Sequence, residues 1–258
     1  MQATPKAAPI RATERFAKDR PEFSALLGLT RARLSQAVKQ HTPIKQASSL
    51  GAEDVVITHL LQSLSLPATV FVLDTGALHQ QTLALLERTQ AALASHKSVS
   101  VEVYHPRLES VIEFIQDKGQ LGIYDSIDNR KACCHIRKLE PLARALAGQK
   151  AWITGLRREQ SNTRALVPLV DESELESKGW VKVNPLMDWS WGDVWQYIKT
   201  YKVDYNPLHD EFYPSIGCAP CTRAISMGED FRSGRWWWED ENAKECGLHV
   251  SSALSPSH

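Results

Sequence analysis

The stretch ATVFVLDTG (68–76) decides the fold when it is read with the segments that follow it. An apolar run of strand length ends there in a glycine turn. HQQTLALLERTQAAL (79–93) then repeats its apolar residues at helical spacing. SVSVEVYHP (98–106) alternates with period two and stops at Pro106. The alternation continues downstream. HIRKLEPLARAL (135–146) reads as a helix with a kink at Pro141, after a loop. AWITGL (151–156) and VKVNP (181–185) read as strands, and Ser190 caps a helix from Trp191 to about Thr200. Strand and helix in this order predict an α/β fold with a mainly parallel sheet flanked by helices. Upstream, PIKQASS (43–49) is expected to be the first strand, although Lys45 and Gln46 interrupt its apolar run.

Outside this frame the pattern weakens. Residues 1–20 are rich in Ala, Pro and charge and are expected to be disordered. Phe23, Leu26, Leu27 and Leu34 mark a helix beyond them. Residues 1–45 hold nine Lys or Arg against three Asp or Glu, which reads as a solvated helix face. From Glu229 to Cys246 there are six acidic and three basic residues and no alternation. The expected division is therefore a single α/β domain over 21–228 and a mobile tail over 229–258. The 258 residues carry 30 basic and 30 acidic side chains, so the formal net charge is zero. That balance argues against a nucleic-acid binder. No apolar run approaches the roughly 18 residues of a membrane span, and the N-terminus has no apolar signal core. The expectation is a cytoplasmic protein with neither nucleic acid nor membrane as partner. Homo-oligomer formation is compatible with the sequence.

In open α/β sheets ligands sit beyond the carboxyl ends of the strands. The first such loop is Ser48-Ser49-Leu50-Gly51-Ala52-Glu53-Asp54. Small hydroxyl residues and a glycine before a helix can cradle an anion with backbone N–H groups, or can be a plain capped turn. The pattern is not a Walker A loop. The second strand ends in Leu73-Asp74-Thr75-Gly76, placing an acid and a hydroxyl where a ribose or base could be met. The fourth ends in Thr154-Gly155-Leu156-Arg157-Arg158-Glu159-Gln160, with Arg164 close behind. Arginine forks suit phosphate or sulfate. The competing reading is a salt-bridge network with Glu159.

Five cysteines divide into an adjacent pair, Cys133 and Cys134, a C-x-x-C pair, Cys218 and Cys221, and the singleton Cys246. Four plus one is the arithmetic of a four-thiolate metal site and a free thiol. Spacing alone leaves an iron–sulfur cluster and structural zinc about equally placed.

Six motifs in order carry a resemblance: SSLGAED, LDTG, KACCHIRKLEPL, TGLRREQ, GCAPCTR and ECGLH. Over residues 44 to 249 the chain resembles the iron–sulfur branch of the phosphoadenosine-phosphosulfate (PAPS) reductase family, the assimilatory adenosine 5'-phosphosulfate (APS) reductases. The resemblance implies an adenine-nucleotide α-hydrolase fold of the PP-loop type. It implies a [4Fe–4S] cluster on Cys133, Cys134, Cys218 and Cys221. It implies APS as substrate, sulfite and AMP as products, and thioredoxin or a glutaredoxin-like protein as reductant. Cys246 is then the nucleophile, and its tail must close over the nucleotide and reopen to the reductant. The substrate contacts fall on Ser48, Ser49, Gly51, Glu53 and Asp54, on Leu73, Asp74, Thr75 and Gly76, and on Lys138, Thr154, Gly155, Arg157 and Arg164. Arg232 and Arg235 match positions that bind phosphate and sulfate. Lys138, four residues after Cys134, shares its face on a helix and could touch both cluster and sulfate. Trp236, Trp237 and Trp238 are expected to dock on the core. Where some members read Ser-Phe-Ser-Gly this loop has Ser-Ser-Leu-Gly, so one hydroxyl is missing at Leu50. The rivals are a PAPS or dual-specificity reductase, a PP-loop ATP pyrophosphatase, which would keep an SGGxDS loop, and a zinc-stabilised binding protein, which would leave ECGLH unexplained.

Overall fold

The computed structural model describes residues 10–161 and 164–239. In chain order its elements begin with α1 (Ala12–Arg15), α2 (Phe23–Gln40), β1 (Ile44–Ser48), α3 (Ala52–Ser63) and β2 (Ala68–Leu73). Then come α4 (Gln80–Leu93), β3 (Val99–Tyr104), α5 (Leu108–Lys118), α6 (Ile127–Cys134), α7 (Glu140–Leu146) and β4 (Ala151–Ile153). β5 (Val170–Asp171), α8 (Leu175–Lys178), β6 (Val181–Val183) and α9 (Trp191–Tyr201) complete the set. The six strands pair in the order β3-β2-β1-β4-β6-β5. All neighbours are parallel except the short edge pair β5–β6.

Strand residues alternate between two apolar layers, as period two demands. Val70 and Val72 of β2 join the large core with Leu34, Val56, Leu60, Leu85, Val194 and Ile198 from the helices on one face. Phe71 points the other way and packs with Ala145, Leu146 and Trp152 under α7. Lys45 and Gln46, the polar residues that interrupt β1, have local reasons. Lys45 Nζ reaches Glu102 at 2.7 Å and the Tyr104 hydroxyl at 2.9 Å. Buried Gln46 donates to the Asp54 carbonyl and accepts from Thr58 Oγ1. Satisfied hydrogen bonds let these groups sit in a central strand.

Several sequence expectations need correction. The segment before residue 21 is folded from Ile10 on. Ala12 is fully buried and takes an N-cap-like bond from its N–H to Asp210 at 2.6 Å. Phe16 packs its ring against Trp191 and Trp195. The region read as a loop before residue 135 contains α5 and α6. The kink assigned to Pro141 is a change of helix type: residues 135–139 form a π turn between α6 and α7. Pro141 has no N–H to offer the preceding turn, and the chain widens ahead of it. The domain boundary at 228/229 also fails. Trp236 is fully buried, Arg235 nearly so, and Arg223 N–H bonds the Gly234 carbonyl, so the body continues at least to Glu239. The expectation for the three tryptophans holds for Trp236, whereas Trp237 is 40% exposed.

Candidate active site

Strand order reverses between β1 and β4, which opens a crevice at their carboxyl ends. A cavity of about 220 Å³ lies there. Its floor is the loop after β1. Ser48, Ser49, Gly51, Glu53 and Asp54 line it. Leu50 takes a left-handed conformation (φ 60°) and is buried, and its N–H bonds Ser48 Oγ at 3.2 Å. The Leu50 side chain packs in the large core and does not line the cavity. Asp54 Oδ2 accepts from both the N–H and the hydroxyl of Ser49, each at 2.7 Å. Burial pushes the Asp54 carboxyl up to about 6 against these bonds.

The loop after β4 closes the crevice. Thr154 and Gly155 line it, and Thr154 donates to Asn184 at 2.5 Å. A Cβ at Gly155 would lie 2.6 Å from Asp54 Oδ1 and 2.8 Å from Glu53 Cβ, so the two loops meet only through glycine. Arg157 does not line the cavity. Its guanidinium is buried, with Nε on Glu53 and Nη1 on Glu159, both at 2.9 Å, and on the Trp189 carbonyl at 3.2 Å. These contacts match the salt-bridge reading for this arginine and hold the loop together. Burial raises the Glu53 carboxyl, but Arg157 and Gln160 outweigh it and leave the net below the ordinary value. Arg164 does line the cavity and donates to Gln160 at 2.6 Å.

The third wall joins the crevice to the cysteines. Leu73 and Thr75 line the cavity. Asp74 and Gly76 do not: Asp74 Oδ1 accepts from Gly76 N–H at 2.9 Å, and Gly76 turns the chain at φ 67°. Thr75 Oγ1 lies 3.2 Å from Cys218 Sγ, and Arg137 donates to the Thr75 carbonyl at 2.6 Å. Cys218 itself lines the cavity. Lys138, Arg232 and Arg235 do too. Arg235 lies over the Trp236 ring at 4.7 Å and reaches the Ile216 carbonyl at 3.3 Å. A Cβ at Gly217 would fall 2.5 Å from its Nη2, so any side chain there would push the Arg235 guanidinium from this position.

Cys133 and Cys134 end α6, Cys218 precedes a one-turn helix, Ala219–Cys221, and Cys221 is its last residue. Cys133, Cys218 and Cys221 pack together with Ile123, Trp236 and Phe114. Burial, then the neighbouring Cys218, pushes the Cys221 thiol up to about 11, against Lys138 and Arg235. Burial also raises Cys133, opposed by Arg137 and Lys138. Lys138 lies in the π turn that follows Cys134. The Lys138 charge acts on Cys133 and Cys221. Thr222 Oγ1, Trp236 Nε1 and Arg235 Nε are buried beside these thiols without a hydrogen-bond partner among the described residues. No three His, Cys, Asp or Glu side chains among the described residues meet closely enough for a single metal ion. Cys246 lies outside the described residues.

Sequence reasoning missed His209. It is fully buried in the cavity wall, and burial lowers it to about 4 against the Glu53 charge. It stands edge-on to Trp191 and Trp195, contacts between segments that no local pattern announces.

A mainly parallel sheet with an anion-suited crevice at its switch point defines an α/β nucleotide-binding class. Residues 43–224 match the phosphoadenosine phosphosulfate reductase domain, and the chain belongs to that family. It is 47% identical over 232 residues to the adenosine 5'-phosphosulfate reductase of Burkholderia cepacia, covering 90% of each chain. It is 50% identical over 216 residues to the enzyme of the same name from Allochromatium vinosum, covering 84% of this chain and 82% of that one. Among solved structures, the phosphoadenylyl-sulfate reductase from Candida auris superposes with a TM-score of 0.62 at 27% identity, over 79% of this chain and 94% of that one. FMN adenylyltransferase from Candida glabrata shares the fold at a TM-score of 0.53 and 13% identity, over 91% and 83%.

Proposed function

We propose that the protein is an assimilatory reductase that converts APS to sulfite and AMP. Relatives named adenosine 5'-phosphosulfate reductase over most of the chain support the activity. One structural observation carries the reading: Thr75 and Cys218 are in contact on a shared wall, so the nucleotide crevice and the cysteine compartment are one site.

In this reading the adenosine lies along the β1 and β2 loops. Lys138, Arg164, Arg232 and Arg235 face the phosphosulfate; charge-assisted forks suit its oxygens. The Cys246 thiolate attacks the terminal sulfur. A sulfur–sulfur bond forms, the sulfur–oxygen bond to phosphate breaks, and AMP leaves with the electron pair. A thiolate of a thioredoxin-type dithiol then attacks Cys246 Sγ and expels sulfite. The second thiol of the reductant resolves the mixed disulfide, so the dithiol supplies both electrons.

Cys133, Cys134, Cys218 and Cys221 are the proposed holders of a [4Fe–4S] cluster. Two observations suit a cluster held by these thiols. Unpartnered donors surround them. Lys138 and Arg235 supply positive charge beside Cys221. When bound, the cluster ties the two cysteine pairs together and gives those donors sulfur acceptors. A cytoplasmic setting keeps such thiols reduced. The deciding experiment is an anaerobic assay of sulfite and AMP from APS with a dithiol reductant, run beside PAPS, with iron and sulfide measured on the same sample. Sulfite from APS with about four irons and four sulfides per chain is expected. No sulfite from APS, or stoichiometric zinc without sulfide, would refute the respective part.

A further inference from the structure

His209 lines the cavity and is only 2% exposed. Neither of its ring nitrogens has a hydrogen-bond partner among the described residues. It sits in the helical turn Pro207–Glu211, with its ring edge-on to Trp195 at 5.2 Å and to Trp191 at 5.9 Å. Other polar groups of this wall are paired. Glu53 Oε1 accepts from Arg157 and Gln160, each at 2.9 Å, and Thr82 Oγ1 accepts from Asn206 at 2.8 Å. Burial lowers the imidazole to about 4 and keeps it neutral at pH 7; the charges that oppose burial, Glu53 and Asp210, are both acidic, and the Tyr213 backbone adds to them. Lys138 and Arg235, by contrast, act on Cys221. The cavity is therefore cationic towards the cysteines and neutral to acidic at His209.

We propose that His209 is a specificity-determining residue: its imidazole takes a ribose hydroxyl of the bound nucleotide. This rests on the sulfonucleotide reading. A buried nitrogen without a partner is costly, so a ligand that supplies one gains affinity. Neutral imidazole offers one N–H donor and one bare acceptor nitrogen. A hydroxyl both donates and accepts, so it satisfies either nitrogen in either tautomer. The phosphosulfate oxygens only accept, and their charge is met at the cationic end. The base has an apolar slot of its own, lined by Phe71, Leu73, Leu142 and Trp152. That leaves the ribose, whose two hydroxyls are the only O–H groups of the ionised substrate. A phosphate in place of the bound hydroxyl would bring negative charge to a corner whose own charges are acidic. His209 therefore also selects against a ribose phosphorylated at that position.

The test is calorimetric binding to the full-length protein, which needs no turnover. AMP, 2'-deoxy-AMP and 3'-deoxy-AMP are compared on wild type and on His209→Phe, which keeps a ring against Trp191 and Trp195. Wild type should bind one of the two deoxynucleotides about tenfold more weakly than AMP. His209→Phe should bind AMP about tenfold more weakly than wild type does, with no further loss for that deoxynucleotide. A merely structural role would weaken all three ligands by one factor and keep the wild-type ratio. The adenosine bisphosphate phosphorylated at the sensitive hydroxyl should bind wild type more weakly still than that deoxynucleotide. Should His209→Phe not fold, His209→Met takes its place in the same cycle. Equal AMP-to-deoxynucleotide ratios in wild type and folded variant overturn the hydroxyl contact. A bisphosphate that binds as well as the deoxynucleotide, or better, overturns the selection. No AMP binding to wild type would instead overturn the nucleotide reading, a distinguishable failure.

Discussion

The two walls of the site are built in opposite ways. The nucleotide wall is made of loops that leave adjacent strands of one sheet, and these loops bond to one another, Ser49 to Asp54, Arg157 to Glu53 and Thr154 to Asn184, while His209 is the exception, with both ring nitrogens unpartnered among the described residues. The cysteine wall draws on two pairs from distant parts of the chain, and it leaves Thr222 Oγ1, Trp236 Nε1 and Arg235 Nε without partners among the described residues. A wall whose bonds are internal holds its shape by itself. A wall with buried donors in reserve is completed by what it binds, since unpaired buried donors are costly. The contact between Thr75 and Cys218 is where the two meet.

The sharpest way to separate chemistry from both walls is Cys246→Ser. Loss of the nucleophile should lower turnover on the order of 10⁴-fold or more. Iron content and AMP affinity should remain. Sulfite release at an ordinary rate would show that one of the walls carries the reaction. Cys221→Ser breaks the cysteine wall instead: iron and sulfide should be lost, while AMP still protects the protein against heat. If AMP binding vanished as well, the nucleotide wall would not be self-supporting.

The same contrast explains what was legible in the sequence. SSLG, LDTG and TGLR each sit at the end of a strand, so local pattern plus parallel topology places them. The cysteines were legible as two pairs and as a candidate four-thiolate site, but the packing around them was not, because it depends on the π turn at 135–139 and on the burial of Trp236. Arg157 shows the limit of residue type as evidence. An arginine after a strand suggests an anionic ligand, and the nearest anion proved to be Glu53 of the same site. α5 escaped notice for another reason: Leu108, Ile112 and Ile115 have helical spacing yet are exposed, and its inward contact is made by Phe114 to the cysteine cluster, far away in sequence.

Arg157→Met tests how far the nucleotide wall depends on internal pairing. It strands the Glu53 carboxylate in a buried site, and breaking such a pair costs about 3–5 kcal/mol. Denaturant unfolding should show a loss of that order. A loss below about 1 kcal/mol would mean the pair is solvated and the wall looser than its geometry. Arg232→Ala and Arg235→Ala act on the ligand side of the junction. Each should weaken sulfonucleotide binding by about 1.5–3 kcal/mol in calorimetry, the worth of a hydrogen bond to a charged group. Unchanged affinity would remove them from the site.

The smallest effect probes the self-satisfied wall through its protons. Asp54 is raised from 3.8 to about 6 by burial, so the folded state holds this proton more tightly than the unfolded chain. Its contribution is fully present below pH 3.8 and is lost as pH rises through about 6. His209 acts in the opposite sense across nearly the same range. It is lowered from 6.5 to about 4, so the unfolded chain binds the extra proton and stability rises with pH. Glu53, held below its ordinary value of 4.5, loses its contribution only in more acid solution. In the intact protein the Asp54 and His209 slopes offset each other, and a flat profile between pH 4 and 6 would hide both. Asp54→Asn removes one of them while Asn can still accept from Ser49. The difference in unfolding free energy, variant minus wild type, should rise by about 1–2 kcal/mol from pH 4 to 6 and level off above. His209→Phe should tilt the other way: relative to wild type it should lose ground across the same interval, because wild type alone gains from releasing the imidazole's strain as the unfolded chain gives up its proton. A variant difference for Asp54→Asn that stays flat across this interval would mean that water reaches the carboxyl in the crevice, and that the Ser49 bonds alone set its charge.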